Sequence, residues 1–404
     1  LILVITMIFV ICPWAHATNY SGTCGESVSW SFDDTNGLLK ISGTGAMSDF
    51  VYTSPWHENR KAIKSVLISE GITEIGDYAF YQCSELSEIV IPNSVTSIGM
   101  CAFQGCLKLS NSTLSDNLAT IGNWVFVGCE SLQTISLPDS IAEIGDSAFM
   151  QCKSLKRIAI PMGVKSIQDS TFEACYNLQT VELPESITKI GERAFLDCHS
   201  LPDIVVPSAV TTIDNFAFYD CEKLSSVTFG GQIEEIGEHC FQGCVSLETL
   251  ELPNSINVIG EKAFSSSSIK EIILPKGLKM IAIELFDGCS NLESVTMSEN
   301  IIAIGSDAFK GCDSLKNIYY SGTETEWSDI TIIDSDFFEN ILVSYNCDIP
   351  KYSEIQEPTT QQTNENIEIN NEENTPSNNS IVIIVVVFVV ALSMVIILLK
   401  KKKK

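Results

Sequence analysis

Cysteine is the residue type whose chemistry and spacing together stand out in this sequence. Ten of its fifteen cysteines recur at a regular interval, each three residues after a phenylalanine, and they are Cys83, Cys106, Cys129, Cys152, Cys175, Cys198, Cys221, Cys244, Cys289 and Cys312. Thiols in such a row could form disulfides, bind a soft metal ion, or fill a core as small apolar groups. Ser267 takes this place in the one unit without the cysteine.

We interpret the ten cysteines as a column of buried thiols, named here the thiol column. Coils about 5 Å apart would bring successive Cα atoms within disulfide reach, but a repeated position forms a line of equivalent residues rather than pairs. Metal binding is disfavoured because the sequence has no Cys-x-x-Cys pair, and His199 and His239 fall in different repeat phases. Disulfides and a metal site remain the alternatives.

The sequence contains no motif that is typical of other catalytic chemistry. There is no glycine-rich phosphate loop, nucleophile elbow or zinc-protease helix motif. Carboxylate pairs are abundant, but 51 acidic residues guarantee them. We therefore expect no enzyme activity, no catalytic residue, no cofactor and no bound metal.

The elements that position the thiols follow from a longer repeat. Eleven phenylalanines are spaced by 23 residues, with one step of 22, and they are Phe80, Phe103, Phe126, Phe149, Phe172, Phe195, Phe218, Phe241, Phe264, Phe286 and Phe309. An isoleucine stands five residues before each of them. A fixed period of this length indicates stacked supersecondary units that each contact only their neighbours.

One repeat combines two periodicities. Ile89 and Ile91 alternate as in a half-buried strand, and Pro92 ends that strand because it has no amide donor. Apolar residues then recur at intervals of three, four and one, which predicts a short helical or 3-10 segment, and they are Val95, Ile98, Ala102 and Phe103. Glycine follows the repeat isoleucine in eight units, which indicates close approach or a positive φ there.

The repeat motif Leu-x-x-Ile-x-Ile-Pro-x-Ser-Val-x-x-Ile-Gly-x-x-Ala-Phe-x-x-Cys resembles the leucine-rich repeats of BspA-like surface antigens. The resemblance covers residues 20–348; residues 30–33 and 37–47 are similar to the family's β-rich N-terminal cap, and Trp327 lies in a degenerate last unit that begins at Tyr319. The resemblance implies an α/β-type repeat solenoid of about 11 units. Its horseshoe would have a parallel sheet on the concave side and short helical or 3-10 segments on the convex side. It also implies cell-surface binding and adhesion rather than catalysis.

The termini predict secretion and a membrane anchor. Residues 1–17 read as a signal peptide, because an apolar stretch precedes Ala15 and Ala17, which fit a small-x-small cleavage site. Residues 381–399 are apolar enough to form a transmembrane helix. Five lysines follow at residues 400–404, which predicts a single-pass type I protein at the plasma membrane with a cytoplasmic tail. The alternative is a dilysine retrieval signal at Lys401 and Lys402, which would hold the protein in the early secretory pathway.

These patterns divide the chain into seven segments. The signal peptide, residues 1–17, precedes a β-rich N-terminal cap at 18–61, the repeat solenoid at 62–318 and a C-terminal cap at 319–349. Residues 350–380 carry few large apolar groups and are expected to form a disordered stalk. The transmembrane helix at 381–399 and the polylysine tail at 400–404 complete the chain.

Charge bounds the class of partner. The formal net charge is −27, from 51 acidic and 24 basic residues, and five of those basic residues are the last five of the chain. Nucleic acid is not an expected partner, because phosphate binding needs a basic face. The remaining partners are extracellular proteins, cells or matrix components.

The candidate binding face consists of strand residues that point away from the core, on the concave side of the sheet. These are Glu88, Val90, Asn111, Thr113, Thr134, Ser136, Arg157, Thr180, Glu182, Asp203, Thr249, Glu251, Glu271 and Tyr319. The face is small, polar and mildly acidic, without the cluster of tryptophan, tyrosine or arginine typical of binding hot spots. Asn19, Asn111 and Asn378 begin glycosylation sequons, and a glycan on Asn111 would cover part of the face.

Adhesion or recognition through this face is the expected function. One alternative is a passive coat or antigenic display protein without a saturable ligand. The other is a ligand-recognition subunit that signals through a separate membrane partner, because a tail of five residues is too short to signal by itself.

Overall fold

The computed structural model describes residues 19–333, 338 and 341–348. Contacts within the chain separate residues 1–354 from residues 355–404, and the second unit lies outside the described residues. The predicted signal peptide, stalk, transmembrane helix and polylysine tail also lie outside them. In the part of the chain that is described, no helix combines the length and the apolar character needed to cross a membrane.

Short strands make up nearly all of the regular structure. In chain order they are β1 (Asn19–Thr23), β2 (Val28–Asp33), β3 (Leu38–Gly43), β4 (Gly45–Ala46), β5 (Ser65–Ile68), β6 (Ile72–Ile75), β7 (Glu88–Val90), β8 (Ser97–Ile98), β9 (Asn111–Thr113), β10 (Thr120–Ile121), β11 (Glu143–Ile144), β12 (Arg157–Ala159), β13 (Ser166–Ile167), β14 (Thr180–Glu182), β15 (Lys189–Ile190), β16 (Asp203–Val206), β17 (Thr212–Ile213), β18 (Ser226–Phe229), β19 (Glu235–Ile236), β20 (Val258–Ile259), β21 (Glu271–Ile273), β22 (Met280–Ile281), β23 (Ser294–Met297), β24 (Ala303–Ile304), β25 (Asn317–Tyr320), β26 (Thr331–Ile332) and β27 (Leu342–Ser344). A 3-10 turn spans His57–Asn59, and helix α1 spans Glu324–Ser328.

The strands that carry the Ile-x-Ile pattern form one parallel ladder, named here the main ladder. Its sheets are β3-β5-β7-β9, β12-β14, β16-β18 and β21-β23-β25-β27, and single bridges join Thr134 to Arg157 and Thr249 to Glu271. Within the repeats, each strand pairs with the one 22 or 23 residues further on, as Arg157 does with Thr180. The separation is 27 residues from β3 to β5 and 25 residues from β25 to β27. In most units the strand residue that points inward is apolar and buried. A shift of one residue would expose it, so the repeat pattern sets the pairing register.

The repeat isoleucine lies in a second parallel ladder of two-residue strands. Ile98, for example, pairs with Ile75 on one side and Ile121 on the other. This corrects the expected short helical or 3-10 segment at Val95–Phe103 in each unit, because Ser97 and Ile98 are extended and the phenylalanine follows in a turn. The repeat solenoid with a parallel sheet, expected from the sequence, is confirmed.

In the turns around each phenylalanine, backbone amides donate hydrogen bonds to carbonyls of the next coil instead of to carbonyls within a helix. Tyr78, Phe80 and Gln82 donate their amide protons to carbonyls of the next coil at 2.9, 2.7 and 2.7 Å. In every unit the residues two before and two after the phenylalanine have a positive φ, between 52° and 76°. A helix needs successive right-handed residues, so this backbone cannot continue as one. We call this row of turns the turn edge.

The repeat phenylalanines stack in a buried column. Neighbouring ring centroids from Phe80 to Phe309 lie 5.2 to 6.0 Å apart, with interplanar angles of 4° to 21°. The longest spacing, 6.0 Å between Phe241 and Phe264, directly precedes the 22-residue unit. In that unit Ile269 takes the buried leucine position one residue early, so the missing residue comes from the turn before it.

The repeat glycines are explained by close approach rather than by φ. None of the eight that follow the repeat isoleucine has a positive φ. At Gly260, an added Cβ would lie 2.4 Å from the amide nitrogen of Glu238 in the preceding coil. Coils therefore touch backbone to backbone at this position.

The two ends of the column are closed differently. At the first end, Trp56 is fully buried, stacks on Phe80 at 5.9 Å and donates its Nε1 proton to the Ala79 carbonyl at 2.8 Å. Strands β1, β2 and β3 pair antiparallel beside it before β3 joins β5 in parallel. At the other end, Phe338 contacts Phe309 edge to face at 6.0 Å, and Trp327 of α1 contacts Tyr320.

Candidate binding surfaces

The thiol column lies inside the solenoid, and every member after Cys83 donates a hydrogen bond. Cys106 donates to the Phe80 carbonyl of the preceding unit at 3.3 Å, and the same bond recurs down the column with lengths of 3.0 to 3.4 Å. Ser267 fits the same place because its Oγ lies 3.4 Å from Cys289 Sγ. All described cysteines are free thiols. The repeat cysteines thus serve the packing of the coils.

Burial also suppresses the reactivity of these thiols. Desolvation raises the pKa of Cys83 and of Cys175 to about 12, and it raises the pKa of Cys152 well above its ordinary value. A thiolate is the reactive form of cysteine, and it is scarce at neutral pH at such pKa values. The described part of the chain also has no group of three or more His, Cys, Asp or Glu side chains placed to hold a metal ion.

The outward residues of the main ladder are exposed, and together they are named here the main-sheet face. All fourteen candidates chosen from the sequence are exposed on it, namely Glu88, Val90, Asn111, Thr113, Thr134, Ser136, Arg157, Thr180, Glu182, Asp203, Thr249, Glu251, Glu271 and Tyr319. They run in two rows, since each strand contributes one residue from each end of its outward side. Whether a partner binds there stays a prediction.

Register brings some of these residues side by side. Glu88 pairs with Asn111 and Val90 with Thr113. Further along, Arg157 is bridged to Thr134 and paired with Thr180. Strands β14 and β16 belong to different sheets, so the main-sheet face consists of separate patches.

One patch contains a depression of about 300 Å³. The residues that line it include the small Ser136 and Ala159 and the charged Arg157 and Glu182. Among the described residues, no carboxylate forms an ion pair with the Arg157 guanidinium. Within the described part of the chain, Arg157 is therefore an unpaired cation, on a face that also carries carboxylates and exposed apolar side chains such as Val90 and Val205.

The sequons occupy different settings. Asn111 begins β9 and its side chain is exposed on the main-sheet face. Asn19 is the first residue of β1, and Asn378 lies outside the described residues. A glycan on Asn111 would stand beside Glu88, its register partner.

The turn edge carries an aromatic cluster that sequence reasoning did not find. Tyr52, Tyr78 and Tyr81 lie with ring centroids 4.7, 6.0 and 5.4 Å apart, and Tyr52 is 56% exposed. Trp124 is also exposed, at the turn-edge position equivalent to Tyr78. Tyr52 comes from the cap, 26 residues before Tyr78, so the 23-residue period gives no signal for it.

Carboxylates next to this cluster cap amides of the following coil. Asp49 accepts from the Asp77 amide at 3.0 Å, and Asp77 accepts from the Met100 amide at 2.6 Å. The pKa of the Asp77 carboxyl is raised, first by burial and also by repulsion from Asp49. In other coils Asn123 and Asn215 make the equivalent bond without a charge.

The two histidines of the solenoid are packed singly on aromatic rings. His239 stacks on Phe216 at 4.5 Å, and the Arg193 guanidinium lies 5.3 Å from that same ring. His199 stacks on Tyr176 at 5.0 Å. The two histidines stack on different partners, which agrees with their different repeat phases.

A model of known protein families describes this repeat. The "BspA type Leucine rich repeat region" matches residues 56–175, 120–248 and 211–344, which together span more than two thirds of the chain. The chain belongs to the BspA-type leucine-rich-repeat family. The family resemblance read from the sequence is thereby confirmed. No protein with a curated description matches the chain.

The chain is also similar to solved structures of proteins from several bacteria. A leucine-rich repeat protein from Eubacterium ventriosum matches with 24% identity and a TM-score of 0.50, over 76% of this chain and 86% of its own. A leucine rich cell surface protein from Faecalibacterium prausnitzii matches with 26% identity and a TM-score of 0.43, over 78% and 97%. The pneumococcal vaccine antigen PcpA matches with 17% identity and a TM-score of 0.41, over 83% and 99%. The Eubacterium structure supports the fold.

Proposed function

We propose that this chain is a cell-surface recognition or adhesion protein without catalytic activity. It would bind extracellular proteins, cells or matrix components through the main-sheet face. Residues 381–399 would anchor it as a single-pass type I membrane protein, and residues 350–380 would hold the solenoid away from the membrane. Membership of the BspA-type family supports surface exposure.

One observation carries the proposal. The residues that repeat from unit to unit are buried, as the phenylalanines and the thiol column are, whereas the residues that vary lie exposed on the main-sheet face. The buried repeated residues maintain the stacking of the coils. The residues that differ between units have no such structural role, and they lie where a partner could contact them. Most of these side chains are small and polar, and binding would therefore be weak at each copy and strengthened by many copies on one membrane.

Beads that carry the full-length chain at high density test this proposal. Binding to cells and to matrix proteins should saturate and should be competed by the soluble full-length chain in mild detergent. Arg157→Glu, at the depression, should weaken binding about tenfold or more, as removal of an interface arginine commonly does. Lys165→Glu is the matched control, because it makes the same charge change at an exposed position beside β13.

The outcomes separate the alternatives. Absence of saturable binding by the folded wild-type protein would favour a passive coat or display protein and contradict adhesion. Binding that survives Arg157→Glu and Lys165→Glu equally would place the contact outside the depression. Chemical crosslinking in the native membrane that recovers a constant second protein would support the recognition-subunit alternative.

A further inference from the structure

We propose that the tyrosine cluster of Tyr52, Tyr78 and Tyr81 is a docking site for a lysine- or arginine-rich segment of a protein partner. The site lies on the turn edge beside the N-terminal cap, apart from the main-sheet face. The proposal therefore does not rest on the function proposed above. It assigns to this protein a second contact surface and the kind of partner that this surface would bind.

The rings form a preorganised aromatic surface. Each of the three tyrosines contacts the other two, with interplanar angles of 56°, 68° and 71°. The rings pack on one another, so a ligand meets their outer faces and edges, and Tyr52 contributes most because it is 56% exposed. Rigid tyrosines offer a large contact area at a small cost in side-chain entropy.

Tyr52 is held in place by its backbone. Its φ is 63°, in the left-handed region that a bulky residue rarely adopts. The neighbouring backbone is bonded to the first repeat, since the Phe50 amide donates to the Asp77 carbonyl at 3.0 Å. The ring is thus presented over Tyr78 by a fixed turn.

Charge decides the chemistry of the partner. Asp77 directly precedes Tyr78 in the chain, and Asp49 accepts from the Asp77 amide at 3.0 Å. Burial and also repulsion from Asp49 raise the pKa of Asp77, and neither carboxylate has an ion-pair partner among the described residues. An ammonium or guanidinium group over a tyrosine face would be attracted by the ring and would also relieve that repulsion. An anionic ligand would add to it. The net charge of −27 further favours a basic partner over an acidic one.

The chain supplies variants that remove each contribution separately. Tyr52→Asn with Tyr81→Ser removes two rings, and asparagine tolerates the positive φ at residue 52. Asp77→Asn removes the charge but keeps the acceptor for the Met100 amide, as Asn123 does for Asp146. Matched controls are Tyr176→Ser, an exposed tyrosine outside the cluster, and Asp169→Asn, whose carboxylate makes the equivalent bond to Glu192.

The probe is a fluorescent, N-acetylated peptide of alternating glycine and lysine, titrated with the full-length chain in mild detergent at 150 mM salt. We expect the double tyrosine variant to raise the Kd about fivefold, because each exposed cation–π contact is worth roughly a factor of two to five. Asp77→Asn should raise it about threefold. Tyr176→Ser and Asp169→Asn should change it less than twofold.

Three results would overturn the assignment. The first is a Kd for the double tyrosine variant within twofold of the wild-type value while its unfolding midpoint is unchanged. The second is an equal loss in the control variants, which would mean non-specific attraction to an acidic protein. The third is tyrosine-dependent binding of a neutral oligosaccharide such as maltoheptaose without binding of the lysine peptide.

Discussion

Trp56 stacks on Phe80 with ring centroids 5.9 Å apart and planes 25° apart, so a tryptophan from the cap forms the first member of the phenylalanine column. Its Nε1 proton satisfies the Ala79 carbonyl, which has no preceding repeat to bond. Phe50 and Trp30 contact the other sides of the indole at 5.8 and 5.6 Å. The Trp56 side chain thus ends both the phenylalanine column and the series of hydrogen bonds between coils at this end of the solenoid.

Replacing Trp56 by alanine should therefore open the first coils. We expect Trp56→Ala to lower the free energy of unfolding by about 3–5 kcal/mol, through loss of burial and formation of a cavity. Trp56→Phe should cost less, because it keeps the stack and loses mainly the bond to Ala79. Urea denaturation measures the free energy, and hydrogen exchange should show the loss of protection concentrated in β5 to β8.

Trp124→Asn provides the control for that experiment. Trp124 is 39% exposed on the turn edge, and asparagine tolerates its positive φ of 58°. Its removal should change the free energy of unfolding by no more than about 0.5 kcal/mol. An equal cost for both tryptophans would show that Trp56 does not close the column.

The thiol column should make the fold sensitive to high pH. The folded-state pKa of Cys175 is about 12, raised by burial above the ordinary value of 9.0. Such a group contributes stability that is fully present below pH 9 and is lost as the pH rises toward 12, because only the unfolded state releases the proton. The buried Cys175 thiol should lower the free energy of unfolding by about 1.4 kcal/mol per pH unit in that window.

Urea midpoints at pH 8, 9 and 10 test this slope. Cys175→Ser is the comparison, since serine stands at the equivalent Ser267 and does not titrate in this range. The variant should show a shallower decline between pH 9 and 10, by the contribution of one thiol. Parallel declines in wild-type and variant protein would contradict the assigned role of burial.

Alkylation should distinguish the thiol column from disulfides. In the native protein at pH 8, iodoacetamide should leave the ten repeat cysteines unmodified. Among the described cysteines it should react first with Cys347, which is half-buried. After unfolding in urea without a reductant, all ten should be modified, as measured by peptide mass spectrometry. Modification that requires prior reduction would establish disulfides and refute the column of free thiols.

Much of the solenoid core could be predicted from the sequence, because stacked coils place the same packing constraints on every repeat unit. The buried phenylalanines, the thiol column and the outward strand residues all follow from the 23-residue phase. The second ladder was mistaken for helical segments, since Val95, Ile98 and Phe103 have spacings that suit a helix face. What the periodicity cannot reveal is the left-handed backbone at positions such as Cys101 and Ser147, which carry ordinary side chains.

The turn-edge surface escaped prediction for a related reason. Tyr52 does not share the repeat phase, so its place beside Tyr81 depends on how the cap packs on the first coil. The role of Trp56 was also missed, because its stacking on Phe80 becomes visible only in three dimensions. Irregular residues at the boundary of a repeat array thus carry information that its period does not.

Site-directed blocking of the main-sheet face tests the central claim most directly. Because the repeat cysteines are buried, a new exposed cysteine can be coupled to a maleimide polymer, with Cys347 modified equally in every variant. Thr180→Cys places the polymer on the main-sheet face, and Glu143→Cys places it at an exposed position of the second ladder. The account predicts that the polymer on residue 180 lowers saturable binding of coated beads to cells or matrix at least tenfold, while the polymer on residue 143 leaves it within twofold. Equal binding by both conjugates, or loss only with residue 143, would contradict recognition through the main-sheet face.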